Sequence, residues 1–330
     1  MRKLQQQDAR LYSSFRLPAV LHQVLLCETE ADLRQIDAAK APLILGEGSN
    51  SIFLTDIQQP VLRYVAKSVT ETQEADGILL HVEAGKNWHE LVSYTVNRGW
   101  WGLENLALIP GSVGAAPVQN IGAYGVELTD SCVYVDFFHW DSQQVQRLSN
   151  LECLFGYRDS IFKRALEGRG VIVAVGLRLH ADGAPKLNYK GLDHLSVNCS
   201  VSDVYQAVLQ VRRSKLPDPQ VLANCGSFFK NPLLTVEQFS ELKQLHPQLP
   251  AYPQAGGQIK TAAAWLIEQA GFKGQRSGDI GCYELQPLVL VNYGHGTAAD
   301  LEQWMDLIIA TVQQRFGICL EPEVRMLHER

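Results

Sequence analysis

Residues 110–125 read Pro-Gly-Ser-Val-Gly-Ala-Ala-Pro-Val-Gln-Asn-Ile-Gly-Ala-Tyr-Gly, with four glycines, three alanines, two prolines and no charge. So much small, uncharged backbone lets a main chain approach a large ligand closely, and runs of N–H groups can form an anion-holding nest without a lysine. The stretch reads as a cofactor cradle, with a tight turn as the competing reading. A second segment of the same character, Gly46-Glu47-Gly48-Ser49-Asn50-Ser51, precedes it. Two such segments, both poor in lysine and rich in backbone donors, favour one extended ligand with a pyrophosphate in its middle.

The familiar phosphate loops demand fixed spacings that are missing here. No Gly-x-x-x-x-Gly-Lys-Ser/Thr occurs, which excludes a P-loop. Residues 46–51 carry serine where a dinucleotide fingerprint has its third glycine, and the context also differs. A Rossmann loop opens a helix, whereas Pro42-Leu43-Ile44-Leu45 runs in and Ile52-Phe53-Leu54 runs out, as strand, loop and strand.

The chain has 330 residues, 46% of them hydrophobic, enough for two or three domains with proper cores. A net charge of −6 with no basic stripe argues against nucleic acid as a partner. The N-terminus lacks an apolar signal region and no 18-residue apolar run follows, so the expectation is a soluble, cytoplasmic protein without membrane insertion. Seven cysteines, at 27, 132, 153, 199, 225, 282 and 319, show no Cys-x-x-Cys pair and are expected as buried thiols in a reducing compartment. Nine histidines form no metal-type cluster, so no metal site is expected.

Hydrophobic periodicity predicts an alternation of element types. Thr29 to Ala39 reads as a helix with Thr29 as N-cap and Asp32 in capping-box position. Trp88, Leu91, Val92, Thr95 and Val96 predict a helix over 87–98, stopped by Gly99. Strands are predicted at 60–65, 78–84, 132–140 and 170–179, and a helix at 202–213 that ends before Pro217. A domain boundary is placed near 200–220. Beyond it, a helix over 261–270, a strand over 287–292, a long amphipathic helix from Leu301 to Phe316 and a final strand from Ile318 form an α+β module.

Three further segments could do chemistry. Tyr157-Arg158-Asp159-Ser160-Ile161-Phe162-Lys163 crowds polar groups beside aromatic ones, and also reads as a salt-bridged surface loop. Asn224-Cys225-Gly226-Ser227-Phe228-Phe229-Lys230-Asn231-Pro232 sets a serine before two rings that could keep water from its hydroxyl, and also reads as a strand entry. It is no nucleophile elbow, since Gly-x-Ser-x-Gly is absent. Glu321-Pro322-Glu323-Val324-Arg325 reads equally as a solvated strand face. None of the three identifies an enzyme by itself.

In order, however, Leu45-Gly46-Glu47-Gly48-Ser49-Asn50, Pro110 to Gly125, Tyr157-Arg158-Asp159-Ser160, Gly226-Ser227-Phe228-Phe229-Lys230-Asn231-Pro232 and Pro322-Glu323-Val324-Arg325 resemble the UDP-N-acetylenolpyruvoylglucosamine reductase (MurB) family. The resemblance covers essentially the whole chain. It implies an α+β protein: a vanillyl-alcohol-oxidase/PCMH-type FAD-binding fold of two lobes, about 1–67 and 68–200, and a C-terminal UDP-sugar domain over 201–330. The last strand, 318–330, would return towards the active site. FAD would be noncovalent, and NADPH would be the reductant, visiting through the opening that the substrate uses.

The family reduces the enolpyruvyl ether of UDP-N-acetylglucosamine to the lactyl ether of UDP-N-acetylmuramate, in cytoplasmic peptidoglycan precursor synthesis. By this resemblance hydride passes from flavin N5 to the terminal enolpyruvyl carbon, through an enolate-like transition state. Arg158 matches the arginine that holds the carboxylate. Glu323 matches the glutamate that helps stabilise the enol, for which it must be protonated. Ser227 matches the serine acid that protonates the central carbon. Cofactor contacts carried over are Gly46, Glu47, Gly48, Ser49, Asn50, Ser51, Pro110, Gly111, Ser112, Gly114, Ala115, Ala116, Asn120, Gly122, Ala123 and Ile172. Substrate contacts are Tyr124, Tyr189, Lys215, Asn231, Tyr252, Lys260 and Gln286; Tyr189 in Lys186-Leu187-Asn188-Tyr189-Lys190-Gly191 marks the longer version of the family. The expected state is a monomer. Two rivals remain at this stage: another flavin oxidoreductase of this fold acting on an alcohol or sugar, and a sugar-nucleotide-binding protein without redox chemistry.

Overall fold

The computed structural model describes residues 1–37, 41–254 and 256–329. Two compact units emerge, and neither is a continuous stretch of chain. The first comprises Met1–Gln7, Leu21–Gly48 and Ile57–Arg213; the second comprises Asp8–Val20, Ser49–Asp56 and Ser214–Arg330. The helix Val201–Arg213 therefore groups with the first unit, although it lies past residue 200, because its apolar face joins that unit's core.

The first unit holds two larger sheets and the small pair Gly122–Ala123 with Val126–Glu127. Four strands in the order Arg2–Asp8, Val20–Cys27, Val61–Tyr64, Leu43–Ile44 make the first of the larger sheets. In it Val24 lies parallel to Val61, and Leu43 also pairs with Val61. The second is an antiparallel sheet in the order Val145–Ser149, Cys132–His139, Gly170–Leu179, Gly77–Glu83, Val69–Glu74. Its central strand, Gly170–Leu179, is buried along nearly its whole length, which accounts for the unbroken apolar run. Leu91 and Val92 of the helix Trp88–Val96 and Val204 and Val208 of Val201–Arg213 pack with Leu80, Val82, Val135 and Val175. Trp88 is 1% exposed, so the periodic face read from sequence is the buried one.

The second unit is built around the helix Ala298–Phe316, capped by Thr297 with a reciprocal Asp300 bond and closed by Gly317 at φ 68°. It packs on an antiparallel sheet ordered Ala223–Ser227, Val289–Asn292, Ile280–Cys282, Arg276–Ser277. A smaller sheet joins Leu233–Leu234, Ile259–Lys260 and Tyr252–Pro253.

Some elements are shorter than their sequence patterns. The expected helix 29–39 is a single capped turn, Glu30–Leu33, and residues 38 and 39 lie outside the described residues. The expected strand from Ile318 is regular only over Arg325–Leu327; of Ile318, Leu320, Val324 and Met326, expected by alternation on one apolar face, the first three are buried and Met326 is half-buried. The helix 261–270 covers Ala263–Gln269, and the strand 287–292 covers Val289–Asn292. Five cysteines are buried as expected, but Cys199 is half-buried and Cys319 is exposed. Among the described residues no helix is long and apolar enough to cross a membrane.

Candidate active site

In the first unit the glycine-rich stretch is pinned to the turn before the helix Trp88–Val96. Trp88 N–H donates to Gly111 O at 2.9 Å, Val113 N–H to Lys86 O at 2.8 Å and Gly114 N–H to Ala84 O at 2.9 Å. No side chain fits at residue 114, where a Cβ would lie 2.5 Å from that of Ala84. Residue 46 comes to the same place, since a Cβ on Gly46 would meet Ser112 Oγ at 2.9 Å and Ala115 Cβ at 3.2 Å. The two uncharged segments are thus packed together, and Asn87 Nδ2 secures them by donating to both Glu47 carboxylate oxygens, at 3.1 and 2.9 Å. Among the described residues the N–H groups of Gly46, Glu47 and Gly48 donate to no protein acceptor. Three successive uncommitted donors beside a wall of Gly and Ala fit a bound pyrophosphate. Ile172 is buried in the strand whose next residue, Val173, accepts the N–H of Ala84 at 2.9 Å, so it backs the same wall.

The far end of the stretch is stitched to the segment 156–160 by three bonds. Ser160 Oγ donates to Val118 O at 2.6 Å, Asn120 Nδ2 to Gly156 O at 3.1 Å and Arg158 Nη2 to Gly122 O at 3.1 Å. Asn120, Tyr124 and Arg158 all have positive φ, at 42°, 52° and 54°. Left-handed backbone at residues other than glycine is uncommon and is held only where surrounding contacts enforce it, so three instances beside one cradle mark a built site. The Tyr124 ring meets that of Tyr189 edge-on, with centroids 5.0 Å apart. Burial pushes the Tyr124 hydroxyl up from its ordinary range, while the positive charge of Arg212 pulls the other way. Burial opposes the charge of the Arg212 guanidinium, Tyr124 favours it and Arg158 opposes it.

In the second unit Ser227 ends the strand Ala223–Ser227. Asn224 faces Val291 but Ser227 faces Val289, so the strand carries a bulge immediately before the serine. Gly226, at φ 69°, supplies the left-handed residue that such a bulge uses to re-aim the next side chain. Phe228 and Phe229 are fully buried, with rings 5.1 Å apart. Their strand continues beside the C-terminal segment: Glu323 N–H donates to Phe228 O at 2.7 Å and Lys230 N–H to Glu321 O at 2.9 Å. Asn50 Nδ2 donates to Glu323 O at 3.3 Å, and Arg325 N–H to Asn50 O at 2.9 Å. Ser227, Asn50 and Glu323 are thereby brought together from three distant parts of the sequence.

A family profile described as the FAD binding domain matches residues 22–147, and one described as UDP-N-acetylenolpyruvoylglucosamine reductase, C-terminal domain, matches residues 218–327. The UDP-N-acetylenolpyruvoylglucosamine reductase of Pasteurella multocida is 44% identical over 98% of this chain and 96% of its own. The chain belongs to the UDP-N-acetylenolpyruvoylglucosamine reductase family. The Shewanella oneidensis reductase is 46% identical over 91% of this chain and 89% of its own. The MurB structure from Thermus caldophilus superimposes with a TM-score of 0.68 at 23% identity, over 99% and 98% of the two chains, which speaks for the fold. The chain is an FAD-dependent oxidoreductase, with an FAD-binding domain and a C-terminal α+β domain of that family.

The remaining residues named from the sequence fall as follows. Asn231 Oδ1 accepts the N–H of Ala263 at 3.0 Å, at the start of the helix Ala263–Gln269. Tyr252 and Lys260 are direct cross-strand partners, so their side chains share one face of the small sheet. Gln286 accepts a bond from Val289 N–H at 3.0 Å through its own carbonyl, and Lys215 is exposed. Pro110 and Ala123 flank the cradle, exposed and half-buried respectively. Ser49, Asn50 and Ser51 belong to the second unit, where Ser51–Phe53 pairs in parallel with Arg325–Leu327. Sequence reasoning missed Arg212 and Asn87. The Arg212-Arg213 pair at the end of a periodic helix was a visible signal for the first, whereas an asparagine that N-caps a helix gives no hint that its amide also holds Glu47.

Proposed function

We propose that the protein reduces the enolpyruvyl ether of UDP-N-acetylglucosamine to UDP-N-acetylmuramate, drawing electrons from NADPH through noncovalent FAD, as a cytoplasmic monomer in peptidoglycan precursor synthesis. The division of labour is FAD binding by residues 1–200 and UDP-sugar binding by 201–330. The observation that carries this reading is the joining of Ser227 and Glu323 through the Phe228 backbone, with Asn50 of the glycine-rich loop on the Glu323 carbonyl.

FAD when bound supplies the hydride, and the residues that hold it are Gly46–Ser51, Pro110–Ala116, Asn120, Gly122, Ala123 and Ile172. The protein's own work is to manage the charge and the proton. Arg158, its guanidinium already fixed by the Gly122 carbonyl, grips the substrate carboxylate. Glu323, protonated, donates to the charge that develops on the enolpyruvyl unit. Ser227 gives its hydroxyl proton to the central carbon, completing addition of one hydride and one proton across the double bond. Buried Phe228 and Phe229 exclude water behind that hydroxyl. Tyr124 and Tyr189 cover the substrate, and Lys215, Asn231, Tyr252, Lys260 and Gln286 bind its nucleotide-sugar portion, with the two lysines opposing the pyrophosphate.

The test is a visible spectrum of the purified protein, repeated after NADPH and again after the enolpyruvyl sugar. A yellow protein bleached by NADPH and recoloured anaerobically by the sugar supports the reading. A colourless preparation that takes up no FAD, or turnover with oxygen and an alcohol in place of the sugar, overturns it.

A further inference from the structure

Asn105 is 1% exposed and sits in the tight turn Glu104–Leu106, between Leu103 and Leu106, both fully buried. The turn is fixed to the helix Trp88–Val96 by the bond from Trp88 Nε1 to Leu106 O at 3.0 Å. From this rigid position Asn105 Nδ2 donates to Tyr124 O at 3.0 Å and to Lys186 O at 3.0 Å. Its Oδ1 is buried with no partner among the described residues. The orientation of the amide follows from this: reversed, it would set an oxygen against two carbonyl oxygens.

The two acceptors belong to the segments that carry Tyr124 and Tyr189, whose rings meet edge-on. Residues 184–189 have no regular structure, and Tyr189 is 46% exposed. The other polar tie of Lys186, to Asp130 at 3.0 Å, is a solvent-exposed ion pair of the kind that constrains little. A buried amide that spends both donors on two separate segments constrains much more, because breaking the bonds leaves its own donors unpaired inside the protein.

We propose that Asn105 is a positioning residue, setting substrate affinity by clamping the Tyr124 and Tyr189 segments into one wall. This rests on the proposed reading of Tyr124 and Tyr189 as substrate contacts. The clamp acts on binding rather than on hydride or proton transfer, since Asn105 touches only backbone carbonyls of those segments.

The test compares Asn105→Ser, which can donate to one carbonyl at most, with the unaltered FAD-loaded protein. Amide exchange over residues 186–191 should accelerate about tenfold, the effect of losing one hydrogen bond of about 1.4 kcal/mol, while exchange over the strand 170–179 stays unchanged. KM for the enolpyruvyl sugar should rise about tenfold, with kcat and flavin content held within twofold. Tyr189→Ala, at an exposed position that should fold normally, should raise KM by itself, and adding Asn105→Ser to it should raise KM no further. Unchanged exchange over 186–191, acceleration spread evenly over the protein, unchanged KM or additive effects in the double variant would each overturn the clamp. Should the unaltered protein not turn over the sugar, the functional reading falls, and the exchange comparison still decides whether the clamp exists.

Discussion

Glu323 donates its backbone N–H to the carbonyl of Phe228, the residue that follows Ser227, at 2.7 Å. This bond, rather than any proximity in sequence, ties together the backbone segments that carry the two residues proposed to handle charge and proton. Ninety-odd residues of chain separate them, and the register of two short backbone segments fixes their spacing. Glu323→Gln keeps a donor of different strength and leaves the backbone bond intact. Sugar reduction should therefore fall while FAD stays bound, as stopped-flow oxidation of the reduced enzyme would measure; loss of flavin would assign Glu323 to structure instead.

Ser227→Ala removes the proposed acid and little else. Flavin reduction by NADPH should remain nearly normal, whereas reoxidation by the sugar should slow by about 10²–10⁴-fold. Equal losses in both half-reactions would make the serine structural.

Gly226 aims that serine. An added Cβ would meet nothing within 4 Å, so Gly226→Ala tests conformation alone. A left-handed alanine costs about 1–2 kcal/mol. The variant should unfold at lower denaturant concentration by that margin, and turnover should drop because the bulge relaxes. Wild-type stability and rate together would refute the assigned role of the bulge.

Gly114 gives the complementary case, limited by space. Gly114→Ala drives a methyl group to 2.5 Å from Ala84 Cβ and 3.2 Å from Ala84 backbone atoms, in the wall of the cradle. The purified variant should carry less flavin, read from its absorbance ratio. Ala84→Gly in the same chain should restore part of the loss, since only the nearer atom is removed. Full flavin occupancy in Gly114→Ala would show that the cradle is elsewhere.

Glu104 is 3% exposed, and burial raises its carboxyl above the ordinary range, although the Gly102 N–H at 2.7 Å works in the opposite direction. Between the unfolded and the native value, the native state binds a proton that the unfolded chain has released. Its contribution to stability is complete below the unfolded value and is lost as pH rises through the native one. Glu104→Gln keeps an acceptor for Gly102 without the charge. Its melting temperature should gain on the unaltered protein as pH rises above the ordinary carboxylate range. A difference independent of pH would place the proton elsewhere.

Much of this was legible in the chain. The periodic face of Trp88–Val96, the capping box at Thr29 and the long strand Gly170–Leu179 depend on near neighbours, and each formed where its pattern lay. The terminal segment was less legible. Alternation indicated Ile318, Leu320 and Val324 as buried, which they are, but Met326 is half-buried and Leu327 is buried instead, and only Arg325–Leu327 found a regular strand partner, in Ser51–Phe53. Pairing is a property of both strands, and one strand's pattern cannot supply it.

The same distinction separates what the sequence determined from what tertiary structure decided. Residue chemistry within each short segment settled that 46–51 and 110–125 would be close-approach backbone, that no Rossmann helix follows the first, and which motifs stand together. Those are local consequences of glycine, of missing charge and of flanking apolar runs. Only the folded chain put Asn50 on the carbonyl of Glu323, grouped residues 8–20 and 49–56 with the C-terminal unit, lodged Arg212 beside Tyr124, and gave Asn105 two carbonyls from segments about sixty residues apart. Each of these depends on buried polar groups finding partners across long loops. The partner is chosen by which segments the cores bring within hydrogen-bonding distance, and no spacing along the chain encodes that distance.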